Sequence, residues 1–276
     1  MASFYVFDIP IASVTMDRAL KQVSGWIREP SRPARLVTFT NVHMAVEAQR
    51  SSPLNDILQQ TDLNCPDGSP IAWIGKKKVG AEVSQVAGPE FMPLFCEQSV
   101  AEGYSHYLYG GAPGVAARAA TQLALLYPGI KIAGHYSPPF RQLTAEEDAE
   151  VCQKINASGA HVVWVALGCP KQEAWIFEHR KLLNASVLLA VGQALDILGG
   201  ATNRAPEFMR RHGLEWAYRL CQDPGRLWKR YFVSNSLFLL WMTRNAVLKV
   251  VTGKRRSGPR DVPAHFLEER RLRPSL

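Results

Sequence analysis

Apolar and polar positions follow two alternating periods over the first two hundred residues. Short runs rich in β-branched and other apolar side chains fall at 36–39, 105–109, 130–133, 161–167 and 186–191, and each predicts a strand. Between them the spacing lengthens to the repeat of amphipathic helices. One helix is predicted after Thr15, one from near Val42, one over 114–126 and one over 171–183. A further helix opens at the Thr144-x-x-Glu147 capping box and stops near Gly159. Strands alternating with helices predict an α/β domain, with a mainly parallel sheet and helices on both faces. Strand order is not readable, and no internal repeat is present.

Composition narrows the class. With 47% hydrophobic and only 20% charged residues, the chain buries a core and is not disordered. No window approaches the ~20 apolar residues needed to span a bilayer, and the N-terminus does not read as a secretory signal. Five cysteines, none in a C-x-x-C pair, predict a reducing compartment and argue against a zinc site. The net charge of +8 is unevenly placed: residues 1–203 carry a net −2 and residues 204–276 a net +10. That asymmetry predicts a core over 1–203, a basic helical appendage over 204–252 and a basic, flexible tail over 253–276.

In parallel α/β sheets ligands gather at the carboxyl ends of strands, which directs attention to the loops there. Thr40-Asn41 ends one strand and reads either as a ligand-binding pair or as a helix N-cap. Asp67, in the Pro-Asp-Gly turn of NCPDGSP, reads either as an Asx-turn or as a general base in a partly desolvated loop. Gly110-Gly111-Ala112-Pro113-Gly114 opens a helix and would let a phosphate or ribose approach backbone N–H groups. Lys171-Gln172-Glu173 opens another helix after a buried strand, and Cys169 beside it has no base partner in sequence. Asp196 stands in an apolar stretch, where a carboxylate is costly unless partnered. D-x-D, H-E-x-x-H and G-x-S-x-G are absent, so a departing diphosphate would need neutralising by something other than a metal.

The C-terminal quarter supplies a candidate. Arginines at 204, 210, 211, 219, 226 and 230 are interleaved with Trp216, Tyr218, Trp228, Tyr231 and Phe232 on both sides of an Asp223-Pro224-Gly225 break. Guanidinium groups bind phosphate oxygens bidentately and stay charged. The apolar run at 237–242 with basic and aromatic flanks suits a helix lying in a membrane interface, in preference to a nucleic-acid surface.

Taken together, VTFTN, LNCPDGSP, VAGPEFM, YLYGGAPGVA, YPGIKIAGHYSPPF, VALGCPKQEAWI and RAPEFMRRHGLEWAYRL-x5-RLWKRY occur in one order. Over roughly residues 5–240 the chain resembles the WecG/TagA/CpsF glycosyltransferases, glycosyltransferase family 26. The resemblance implies a Rossmann-like core closed by a basic C-terminal appendage. It implies metal-independent, cofactor-free, inverting transfer of a hexose or N-acetylhexosamine from a UDP-sugar to a polyprenyl-diphosphate-linked saccharide. The setting it implies is cell-surface polysaccharide synthesis, by a peripheral protein on the inner face of the cell membrane with no nucleic-acid partner. A homo-oligomer stays open. Position by position, the resemblance makes Asp67 the base and places Arg219 and Arg226 at the diphosphate. Asn41, Gln172, Asp196 and Lys229 become substrate contacts, to which the reading of the strand-end loops adds Thr40, Gly110 and Gly111. The chain departs from the family at Phe39, where threonine is usual, at Gln85, where arginine is usual, and at Gly192-Gln193-Ala194-Leu195-Asp196 in place of G-A-A-F-D. These departures bear on the donor sugar, with N-acetylmannosamine, its uronic acid and glucose all open. The rival readings are a dinucleotide-dependent oxidoreductase, which lacks its G-x-G-x-x-G turn here, and a nucleic-acid binder using the basic tail.

Overall fold

A computed structural model describes residues 2–252; the predicted tail over 253–276 lies outside the described residues. The chain opens with a hairpin, β1 (Ser3–Val6) and β2 (Ile9–Ala12), followed by α1 (Met16–Arg28), β3 (Arg35–Thr40), α2 (Val42–Arg50), α3 (Ser52–Gln59), β4 (Leu63–Pro66), α4 (Ser69–Val79) and α5 (Gly88–Glu102). Next come β5 (Ser105–Gly110), α6 (Val115–Leu126), β6 (Lys131–Tyr136), α7 (Ala145–Ala157), β7 (Val162–Ala166), α8 (Lys171–His179), β8 (Val187–Ala190) and α9 (Ala194–Leu198). Three C-terminal helices close the described chain: α10 (Glu207–Arg211), α11 (Glu215–Gln222) and α12 (Pro224–Thr252).

Six strands form one sheet in the order β4-β3-β8-β7-β5-β6, and every neighbouring pair is parallel. The two-residue period of a strand sorts its side chains between two cores. Val162, Trp164 and Ala166 of β7 face a core closed by α1, α5, α6 and α9, whereas Val163 and Val165 face a second one closed by α7 and α8. Helices thus cover both faces, as the strand–helix alternation predicts for this Rossmann-like architecture.

The five predicted strands all form. The edge strand β6 runs on to Tyr136, beyond the apolar run, because pairing with β5 extends it through Gly134 and His135. The helix predicted over 171–183 stops at His179. Helix α5 carries prolines at its start and at Pro93, which read as breakers, yet it buries Phe91, Met92 and Phe95 against the sheet. The N-terminal hairpin is likewise a tertiary feature: its side chains join a third core with α2, α3 and α4.

That third core also receives α12. At the hairpin turn Phe7 adopts φ 55°, a region a bulky side chain rarely occupies. The turn aims its ring at Phe238 and Trp241, with centroids 5.5 and 5.8 Å away in edge-on geometry. His43 Nδ1 of α2 lies 3.0 Å from Ser234 Oγ of α12. The apolar run at 237–242 therefore divides: Leu237, Phe238, Trp241 and Met242 dock on the body of the protein, and Leu239 and Leu240 remain exposed. Periodicity alone reads all of it as an interfacial face; the hairpin claims half.

Candidate active site

Parallel strands point their carboxyl ends at one rim, and a cleft opens there beneath α11. Asn41, Asp67, Gln172, Asp196 and Arg219, drawn from five separate stretches of sequence, line it. Asp67 follows β4 directly. Its N–H donates to the Thr40 carbonyl at 3.0 Å, and the Val86 N–H donates to the Pro66 carbonyl at 2.8 Å, so the turn is pinned from both sides. Gly68 takes φ +81°, which lets the chain leave sharply into α4.

Asn41 is an N-cap, as one of its two readings has it, and its side chain also reaches the cleft. Its Oδ1 accepts from Met44 N at 3.1 Å and caps α2, while its Nδ2 donates to Asp67 Oδ2 at 3.4 Å. Burial, followed by the nearby Glu215 carboxylate, pushes the Asp67 carboxyl up to about 7; the Asn41 hydrogen bond and the Arg219 guanidinium act in the opposite direction. A carboxyl balanced near neutrality suits a group that must take up a proton and release it.

Gln172, only 4% exposed, stands at the second turn of the rim. Its Nε2 donates to Glu173 Oε1 at 2.7 Å and to the Ala190 carbonyl at 3.3 Å, while its Oε1 makes no hydrogen bond within the protein. A buried amide oxygen left in this state lines the cleft as a ready acceptor. Glu173 is fully buried, accepts from this amide and does not line the cleft. Gln193 and Thr202 join across the rim through Nε2 and Oγ1, 3.3 Å apart, and both line the cleft.

Four expected contacts, Thr40, Gly110, Gly111 and Lys229, do not line the cleft. Thr40 is fully buried, and its backbone carbonyl supports Asp67. Gly110 and Gly111 do not line the cleft: the Gly111 N–H donates to the Ala166 carbonyl at 2.9 Å, and the Gly110 carbonyl accepts from Ser137 Oγ at 3.0 Å. Of the N–H groups in the cradle read from this turn, that of Gly111 is thus bonded within the protein. Gly110, at φ +128°, brings β5 so close to β7 that a Cβ would lie 2.3 Å from the Ala166 carbonyl oxygen. Gly110→Ala is expected to cost about 3 kcal/mol or more of stability, read as a lowered urea midpoint.

The C-terminal helices complete the cleft. Glu215 and Arg219 stand one turn apart on α11, both facing in, and buried Leu227 of α12 closes the side. The Arg219 Nε is buried without a hydrogen-bond partner. This segment is fastened to the core by Glu90 at the start of α5, whose Oε1 accepts from Arg204 at 2.9 Å and from Arg210 at 2.8 Å. Lys229 is exposed and lies over the Trp228 ring, 5.7 Å from its centroid, away from the cleft. Arg226 lies on α12, with its side chain outside the described residues.

The profile of the Glycosyl transferase WecG/TagA/CpsF family matches residues 4–251, spanning the sheet, the cleft and the C-terminal helices. The chain belongs to this family. Among its relatives is the N-acetylglucosaminyldiphosphoundecaprenol N-acetyl-beta-D-mannosaminyltransferase of Bacillus spizizenii, 32% identical over 202 residues, which cover 73% of this chain and 76% of the relative.

Two acidic residues matter to this WecG/TagA/CpsF glycosyltransferase that sequence reasoning leaves unassigned. Glu90 sits in the VAGPEFM segment, where an acid in a helix's first turn reads simply as favourable to the dipole. Glu215 sits in the GLEW segment, and only the fold of α11 brings it to Asp67. The departures also gain positions: Phe39 lines the cleft, and Gln85 accepts from Ser69 Oγ at 3.4 Å outside it. Among the described residues, one trio, Asp148, Cys152 and His179, brings three metal-ligand atoms within 4.8 Å. None of the three lines the cleft, and His179 already contacts Asp148 at 2.8 Å and the Trp175 carbonyl at 2.7 Å.

Because one carboxylate serves two arginines, Glu90→Gln is expected to loosen the C-terminal helices from the core. Losing charge-assisted hydrogen bonds worth about 1.5–3 kcal/mol should speed limited proteolysis after residue 203 roughly tenfold. An unchanged cleavage rate would show that the hairpin contacts alone hold the segment.

Proposed function

We infer that the protein transfers a sugar from a UDP-sugar to a polyprenyl-diphosphate-linked saccharide, inverting the anomeric centre and using no metal. The observation that carries this reading is a pair in one cleft: a carboxylate held near neutrality and a guanidinium borne on a separate C-terminal segment. Asp67 accepts the proton of an acceptor hydroxyl as that oxygen attacks the anomeric carbon. The bond from that carbon to the donor's diphosphate breaks on the opposite face, and UDP departs with the electron pair. Arg219, half-buried with its Nε out of solvent, takes up the growing negative charge on the diphosphate, a task a divalent ion would otherwise perform. Arg226, one turn into α12, is assigned the same role. Asn41 orients Asp67 and, with Gln172 and Asp196, makes polar contact with the substrates.

The name of the Bacillus spizizenii relative supports an N-acetylglucosaminyl-diphospho-lipid acceptor and an N-acetylmannosaminyl group as the unit transferred. Residues 204–252 act in this scheme as an arm that completes the site. Among the described residues no helix is long and apolar enough to cross a membrane, and the reading places the protein on the inner surface of the cell membrane.

A panel of UDP-sugars, tested on a short-chain N-acetylglucosaminyl diphospholipid with and without chelator, examines this function. The expected product carries the new sugar with inverted anomeric configuration, formed equally with chelator present. A retained configuration, or activity restored only by added manganese or magnesium, would overturn it.

A further inference from the structure

The helix that leaves the Asp67 turn presents an unusual face to solvent. Ser69, Trp73 and Lys77 succeed one another at i, i+4 on α4, with Lys76 beside them. Trp73 is 57% exposed, and Lys77 Nζ lies over its ring at 4.0 Å from the centroid. The helix carries no acidic residue. Beneath this face Ile71 and Ile74 are buried in the third core, so the helix is firmly seated and the outward side chains are not needed to hold it.

The face continues onto the C-terminal helices. Gly213 packs so tightly on α4 that a Cβ there would lie 2.7 Å from Ser69 Oγ. This contact brings the start of α11, with exposed Leu214 and Trp216, alongside α4. Between those two residues Glu215 turns inward to the cleft. Cationic and aromatic side chains from two distant parts of the sequence therefore stand on elements that lead away from the cleft residues Asp67 and Glu215 and meet at Ser69 and Gly213.

We propose that Trp73, Lys76 and Lys77 of α4, together with Leu214 and Trp216, form a docking surface for an anionic lipid bilayer, seating the cleft mouth against the membrane. The proposal rests on the function inferred above, in which the acceptor is borne by a lipid. It adds a contact made by α4 of the core together with the start of α11, separate from the exposed residues of α12. The chemistry fits on three counts. Tryptophan settles at the headgroup level, with its ring in the acyl boundary and its N–H in water. Lysine stems lie along apolar surface while their ammonium groups meet lipid phosphates. With no membrane-crossing helix among the described residues, a lipid-borne acceptor is met from the bilayer surface.

Sedimentation of the full chain with phosphatidylcholine vesicles, with and without phosphatidylglycerol, tests the surface. Wild type is expected to bind the anionic vesicles, and added salt to weaken that binding. The triple variant Trp73→Ala, Lys76→Gln, Lys77→Gln should bind them at least about tenfold less, since each lysine near an anionic surface contributes roughly fivefold. UDP-induced thermal stabilisation should stay unchanged in the variant. Should the triple variant fold poorly, Lys76→Gln with Lys77→Gln tests the charges, and Trp73→Phe should keep wild-type binding. Undiminished vesicle binding by a folded variant overturns the proposal. So does a fall in molecular mass by light scattering, which would make this face a contact between copies, or a loss confined to duplex nucleic acid. Vesicle binding needs no donor, so the outcomes separate. Binding lost in the variant of a protein that transfers no sugar would overturn the inferred reaction and leave the surface standing.

Discussion

Asp67→Asn lowers turnover by about 10²- to 10⁴-fold while UDP still stabilises the protein against heat, the result expected when a positioned base is removed from an intact site. Asparagine preserves the size of the side chain and its contact with Asn41, so the cleft keeps its shape. The diagnostic accompaniment is the pH profile. Asp67 must be ionised to accept a proton, and burial with Glu215 places its carboxyl at about 7. In wild type kcat/KM should therefore climb as pH rises through about 7. Glu215→Gln removes a neighbouring negative charge and should move this rise to lower pH. A fully active Asp67→Asn enzyme, or a profile flat across neutrality, would dismiss the assignment.

The same carboxyl affects stability, with a definite sign. Folding raises the affinity of Asp67 for its proton, so the folded state is favoured when the group is protonated and loses stability as pH rises from about 4 through about 7. Asp67→Asn has no such proton to lose. It should match wild type near pH 4 and exceed it in stability near pH 8, as read by urea unfolding at the two values. A base that destabilises its own fold at working pH is a cost found at active sites more than in structural carboxylates.

Arg219→Ala should lower kcat by about 10²- to 10³-fold, the usual consequence of removing one preorganised charge-stabilising donor. The effect should fall on kcat more than on the KM for acceptor, since the guanidinium is needed most when the diphosphate departs. Arg219→Lys should recover little, because a lysine is a point charge and cannot offer the two-pronged geometry of arginine. Activity within twofold of wild type in Arg219→Ala would refute its role. Truncation after residue 203 should also abolish transfer, but it is a blunter test. It removes Glu215 and Leu227 along with Arg219 and uncovers Phe7, whose ring packs on Phe238 and Trp241. The point substitution separates the charge from the packing.

Much of this protein is determined by local pattern. Apolar runs specify β6 at one edge and the four inner strands β3, β5, β7 and β8; the inner ones are the plainest, since a strand buried on both faces must be apolar whatever surrounds it. The Pro-Asp-Gly turn and the Lys171-Gln172-Glu173 helix start are equally visible, because each combines a chain-breaking residue with polar groups at a strand's end. The partition of charge marks the C-terminal segment before any fold is known. Tertiary structure alone decided three things. It set the strand order that gathers Asn41, Asp67, Gln172 and Asp196 at one rim, because pairing between distant strands leaves no trace in local periodicity. It packed Gly110, at the end of β5, against Ala166, because that closeness depends on two strands meeting. And it brought Glu90 to Arg204 and Arg210, and Glu215 with Arg219 to Asp67, because a charge acquires its partner, and a carboxyl its shifted proton affinity, only when folding removes the water between them.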